Sequence, residues 1–161
     1  MRRNMTVKAC LFVLAAAMLP AEQVRECTNA TLNGAYGVTV SGTRPAAGFP
    51  AGTTEQVAGI VLHTFDGNGS FTQVDNVKGS LTGIVADRPG SGIYSVNPDC
   101  TGSLTINIPV PGASTVTVVT RFVIVDDGEE LRAVVVSPLP NITLANGRRV
   151  TSAKLRGKQD F

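Results

Sequence analysis

The chain has 161 residues, with 14 lysines and arginines, 12 aspartates and glutamates and one histidine, for a formal charge of +2. That length accommodates one domain and leaves no room for a second hydrophobic core. The lone histidine and the absence of any CxxC spacing argue against a zinc site, and no basic patch interleaved with aromatics points to nucleic acid; no cofactor is implied.

The N-terminus reads as a secretory signal. Residues 1–8 carry Arg2, Arg3 and Lys8 without an acid, residues 9–19 are apolar throughout, and Pro20 and Ala21 follow. The apolar run is too short for a membrane-spanning helix, which needs about 20 such residues. Cleavage is expected near Ala21, which makes 1–21 a signal peptide and 22–161 a single secreted or periplasmic domain, no integral membrane protein once cleaved. Losing Arg2, Arg3 and Lys8 leaves 11 basic residues against 12 acidic ones, a net charge of −1, so the basicity belongs to the leader. Basic residues do gather again at Arg148, Arg149, Lys154, Arg156 and Lys158, a pattern typical of a solvated edge or tail. Cys10 departs with the leader, and Cys27 and Cys100 remain. An even pair in an oxidising compartment predicts a disulfide, which on a chain-entropy model stabilises the fold by about 4 kcal/mol.

Glycines and prolines, 17 and 9 in number, punctuate short runs rich in Val, Ile, Thr and Phe, and nothing beyond the leader has helical periodicity. The fold class is therefore all-β. Strands are expected over Ala35–Ser41, Val57–Phe65, Ser70–Val77, Ser91–Val96, Gly102–Ile108, Thr115–Val125, Glu130–Ser137 and Arg149–Arg156, enough for a single antiparallel, closed or nearly closed eight-stranded barrel. The first of two hairpin signals is Phe65-Asp66-Gly67-Asn68-Gly69-Ser70-Phe71, where a three-residue glycine-bulge loop sets Phe65 opposite Phe71, His63 opposite Gln73 and Val61 opposite Asp75. The second is Asp127-Gly128, a two-residue turn that sets Ile124 opposite Leu131, Phe122 opposite Ala133 and Thr120 opposite Val135 on the core face. Thr43–Thr54 and Pro138–Gly147, rich in Pro, Gly, Ala and Asn, read as excursions able to cover a barrel mouth.

The segments Cys27–Gly37, Thr64–Gly69, Tyr94–Ser103 and Phe122–Gly128 together resemble a group of exported bacterial proteins of unassigned function. Their pattern is similar to the allene oxide cyclase and dirigent type of eight-stranded β-barrel. The resemblance implies a lumen able to hold an apolar small molecule and a tendency to oligomerise. It transfers no catalytic residue, because no plant cyclase or dirigent motif is matched position by position.

His63 alternates with Val61 and Phe65, so the single imidazole is expected on the inner face with Gln73 and Asp75 nearby. A His63–Asp75 pair could move a proton near neutral pH, although a satisfied core histidine is the plainer reading. Tyr36 and Tyr94 alternate with Val38 and Val96 and should be buried with their hydroxyls near a barrel end. His63, Gln73, Asp75, Tyr36 and Tyr94 are the candidate ligand-binding residues. No Gly-x-Ser-x-Gly elbow is present, and Asp126, Asp127, Glu129 and Glu130 lack calcium-loop spacing, as expected of a solvated hairpin tip. Gly59, Gly92 and Gly102 lie in or beside strands, where glycine permits bending. The favoured function is binding of a small apolar or amphipathic molecule in the lumen; the alternatives are a cyclase- or isomerase-like enzyme and a structural or interaction module of the envelope. Ile60 and Leu62 make their strand apolar on both faces, which predicts a homo-oligomer or a covering loop.

Overall fold

A computed structural model describes residues 26–109 and 114–151. The expected leader, its cleavage site, and the end of the expected last strand with Lys154, Arg156 and Lys158 lie outside the described residues. The alternating runs form eight antiparallel strands: β1 (Asn33–Pro45), β2 (Thr54–Asp66), β3 (Ser70–Gly79), β4 (Gly83–Val96), β5 (Thr101–Ile108), β6 (Val116–Val125), β7 (Glu130–Ser137) and β8 (Ile142–Arg149). Each pairs with the next, and β8 pairs back with β1 to close the barrel. Since spatial order is chain order, the connections alternate between two ends. The turns after β2, β4 and β6 lie at one end with the start of β1, and those after β1, β3, β5 and β7 lie at the other.

Period-2 alternation decides which side chains face inward. In β2, Glu55, Val57, Val61, His63 and Phe65 are buried, while Ala58, Ile60, Leu62 and Thr64 are exposed. Both expected hairpin registers are present: Phe65 faces Phe71, His63 faces Gln73 and Val61 faces Asp75, while Ile124 faces Leu131, Phe122 faces Ala133 and Thr120 faces Val135. At the second turn, Asp127 (φ 52°, ψ 34°) and Gly128 (φ 90°) both adopt the left-handed backbone that a type I′ turn requires. At the first, Gly67 and Gly69 have positive φ, and the Asp66 carboxylate accepts from the N–H groups of Asn68 (2.7 Å) and Ser70 (3.0 Å).

The last strand differs from expectation. It runs over Ile142–Arg149 rather than Arg149–Arg156, so most of Pro138–Gly147 is strand and only residues 138–141 connect it to β7. The reason lies in its inner face: Thr143, Ala145 and Gly147 point inward while Ile142 and Leu144 are exposed, which inverts the usual apolar-in pattern. β1 likewise continues to Pro45 and β2 begins at Thr54, leaving residues 46–53 as the connection. β4 starts at Gly83, well before the expected Ser91. Pro89 is tolerated there because β5 pairs with β4 only from Ser91 onward, so no neighbour on that side needs its missing N–H.

One end of the barrel is plugged by the segment preceding β1, which makes a 3-10 turn at Asn29–Thr31. Leu32 is fully buried. The Tyr94 hydroxyl meets the carbonyls of Asn29 and Leu32 at 3.0 Å each, and the Arg149 guanidinium donates to the carbonyls of Thr31 (3.2 Å), Gly128 (3.1 Å) and Asn33. Arg149 also lies over the Tyr36 ring, 4.9 Å from its centroid, and pairs with Glu129 at 3.0 Å. Cys27 and Cys100 are bridged with their Cα atoms 5.0 Å apart, within the range a disulfide spans. The bridge fastens the plug to the β4–β5 turn. Above it, Phe65 packs against Tyr36, Phe71 and Tyr94 at centroid distances of 5.4, 5.5 and 5.0 Å, forming an aromatic floor.

Candidate functional site

An eight-stranded barrel has an interior just wide enough for side chains to fill, so any free space depends on the size of the inward residues. Here the aromatics fill the plugged end. On β7 and β8 the inward positions include Ala133, Ala145 and Gly147, with Ala133 and Ala145 directly paired. The space they leave is a cavity of about 130 Å³ whose wall takes side chains from all eight strands, which places it in the lumen. Most of the wall is apolar, including Val38, Val61, Leu104, Ile106, Phe122 and Leu131.

Polar groups form one continuous column along β2–β4. Arg88 donates through Nε (3.0 Å) and Nη2 (3.1 Å) to the two oxygens of Asp75. Gln73 donates from Nε2 to Asp75 Oδ2 at 3.1 Å, and its Oε1 lies 3.0 Å from His63 Nε2. All four residues line the cavity. Register explains the assembly: His63 faces Gln73 across β2–β3, Gln73 and Asp75 share the inner face of β3, and Asp75 faces Arg88 across β3–β4.

Burial dominates the electrostatics of His63. It lowers the imidazole from its ordinary 6.5 to about 4, an effect only partly opposed by the bond to Gln73. The ring is therefore neutral at pH 7. The Asp75 carboxylate is occupied by Arg88 and Gln73, and Gln73 stands between it and His63. At neutral pH the column offers hydrogen bonding rather than a direct His–Asp proton transfer.

A second buried acid sits at the end opposite the plug. Burial pushes the Glu55 carboxyl up, but bonds from the Thr82 N–H and hydroxyl, Arg44 and the Leu81 N–H outweigh it and hold it at about 2. Its carboxylate accepts from Arg44 Nε (2.9 Å), the Leu81 N–H (3.1 Å), the Thr82 N–H (3.0 Å) and the Thr82 hydroxyl (2.8 Å). This clamp ties β1 and β2 to the β3–β4 turn.

His63, Gln73 and Asp75 thus come together on the lumen wall. Tyr36 and Tyr94 do not line the cavity; their hydroxyls are bound to backbone carbonyls at the plugged end. Arg88 lies before the strand expected from Ser91, but the chain there is already strand, which places it on the lumen wall. The clamp acid was legible in principle, since extending the β2 alternation from Val57 to residue 55 puts it inside. Gly92 and Gly102 have a steric role: a Cβ at either would strike an aromatic ring, Phe71 or Phe122 respectively. On the outer surface, Ile60 (62% exposed), Leu62 and Val74 form an apolar patch that no described loop covers. Comparison of the chain with family models, with curated proteins and with solved structures finds no match in any of the three.

Proposed function

We propose that this chain is an exported binding protein that holds a small apolar or amphipathic molecule in its lumen. The observation that carries the reading is the 130 Å³ cavity, with an apolar wall and one polar column, inside a barrel plugged at one end. A cavity of about 150 Å³ lined by apolar side chains stays dry and accepts benzene, so a single ring or the end of a chain matches this space. Export is supported by the leader-like N-terminus and by the Cys27–Cys100 bridge, which suits an oxidising compartment. No helix among the described residues is long and apolar enough to cross a membrane. The lumen wall is mostly apolar, whereas the interior of a membrane barrel is polar.

The proposed resemblance of the sequence pattern to allene oxide cyclase and dirigent barrels would imply the same ligand class. A cyclase- or isomerase-like reading is the weaker one, because it asks a neutral His63, separated from Asp75 by Gln73, to move a proton. Native mass spectrometry of protein purified from its own host tests the binding reading. A retained small molecule is expected in the wild type and its loss in Ala145→Leu, which fills the cavity from β8. Ligand-free spectra in both, together with no uptake of added toluene by the wild type, would overturn it.

A further inference from the structure

Each hydrogen bond in the polar column constrains the next. The Asp75 carboxylate is an acceptor only, and it takes Arg88 on both oxygens and Gln73 on Oδ2. The Gln73 amide must therefore turn its NH₂ toward Asp75 and its carbonyl toward His63. That carbonyl, 3.0 Å from His63 Nε2, can only accept, so Nε2 carries the proton. A neutral imidazole has a single N–H, which leaves Nδ1 as a bare lone pair. Among the described residues no group donates to it, and His63 is only 7% exposed. Phe65 and Phe71 pack against the ring, at 5.7 and 5.3 Å between centroids, and neither has a donor to offer. An unsatisfied buried acceptor is unfavourable, and the chain of bonds running back to Asp75 strengthens it as an acceptor.

We infer that the lumen selects a ligand bearing one hydrogen-bond donor, a hydroxyl or N–H on an otherwise apolar body of about one ring, and that His63 Nδ1 receives that donor. This rests on the lumen-binding reading, and it deepens that reading by assigning the polar end of the ligand. His63 qualifies because it lines the cavity and its Nδ1 has no donor among the described residues. A site built around a buried acceptor rejects an isostere that lacks the donor, since the lone pair then stays unpaired.

Phenol and toluene, matched in size and differing in the donor, test it by calorimetric titration of the full oxidised chain at pH 7. The expected result is that phenol binds about tenfold tighter, the usual worth of one such bond, and that this order reverses in His63→Phe. Nitrogen NMR of the wild type supplies a readout that does not depend on the variant folding. The His63 Nδ1 resonance should move on adding phenol and stay in place with toluene. Equal or weaker binding of phenol by the wild type, with Nδ1 unmoved, overturns the assignment of His63 while leaving the lumen as a binding site. Failure of folded wild type to bind either compound overturns both.

Discussion

Acidification should act on His63 before it acts on the carboxylates. The imidazole titrates at 6.5 when free and at about 4 in the folded protein, because burial disfavours its charged form. The unfolded chain therefore takes up the proton more readily than the folded one. Stability contributed by the neutral ring is complete above pH 6.5 and is lost as pH falls toward 4. At 1.36 kcal/mol per pH unit, the loss amounts to about 3 kcal/mol, a substantial part of the roughly 5 to 15 kcal/mol that stabilises a domain. Glu55, lowered from 4.5 to about 2, contributes stability that is present above pH 4.5 and lost below it. The interval between pH 6.5 and 4.5 therefore isolates the histidine. Urea unfolding at steps across that interval should show a steep fall in the wild type and a much flatter one in His63→Gln, whose amide still has an N–H for Gln73 Oε1 but no titration. Equal slopes in the two proteins would refute the reasoning, as would an imidazole midpoint near 6.5 by proton NMR of the native state.

Three other outcomes are expected. Cys100→Ser removes a cross-link between residues 73 apart in sequence and should cost about 4 kcal/mol on the chain-entropy model; an unchanged thermal midpoint, or two thiols titrated in the unfolded non-reduced protein, would count against the bridge. Glu55→Gln keeps the shape of the clamp but turns an NH₂ toward groups that are themselves donors, at a cost of about 2 kcal/mol. Hydrogen exchange at the Leu81 and Thr82 amides should accelerate, and unaltered protection there would show that the clamp does not hold the β3–β4 turn. The Ile60, Leu62 and Val74 patch is expected to drive self-association, read by light scattering as a mass that rises with concentration and is reduced by Leu62→Lys; a monomer at every concentration sinks this idea.

Much of the barrel was legible because its strongest signals were local. Gly67-Asn68-Gly69 and Asp127-Gly128 are turns whose chemistry sets register, and register alone brought His63, Gln73 and Asp75 onto one inner face. What stayed hidden was non-local. β8 could not be placed because its inward residues are small, which makes sense only once the opposite wall is known to be large. Arg88 was missed because a proline and a glycine follow it, and Pro89 is acceptable in a strand only where the next strand is too short to reach it. The register also placed Gln73 directly opposite His63, and Asp75 one inward position further on; the hydrogen bonds through the Gln73 amide are what the structure adds.

The same grading of side-chain size that obscured β8 gives the lumen its polarity. Tyr36, Phe65, Phe71 and Tyr94 gather at the end where the N-terminal segment lies, and two of their hydroxyls satisfy carbonyls that a barrel end would otherwise leave without donors. Arg149, from the last residue of β8, completes that set by binding the carbonyls of Thr31, Asn33 and Gly128. The plug is thus held by side chains from β4 and β8 as well as by the disulfide, while Tyr36 on β1 fastens the β6–β7 turn at the same end through the Gly128 carbonyl. The opposite end has the Glu55 clamp on one side. Arg44 and Arg88 line the same cavity as its apolar wall and His63, whose Nδ1 has no donor among the described residues. Such a lining favours ligands that carry their donor on a compact apolar body over ligands that are polar throughout, because only the former gain from the apolar wall and the single acceptor together.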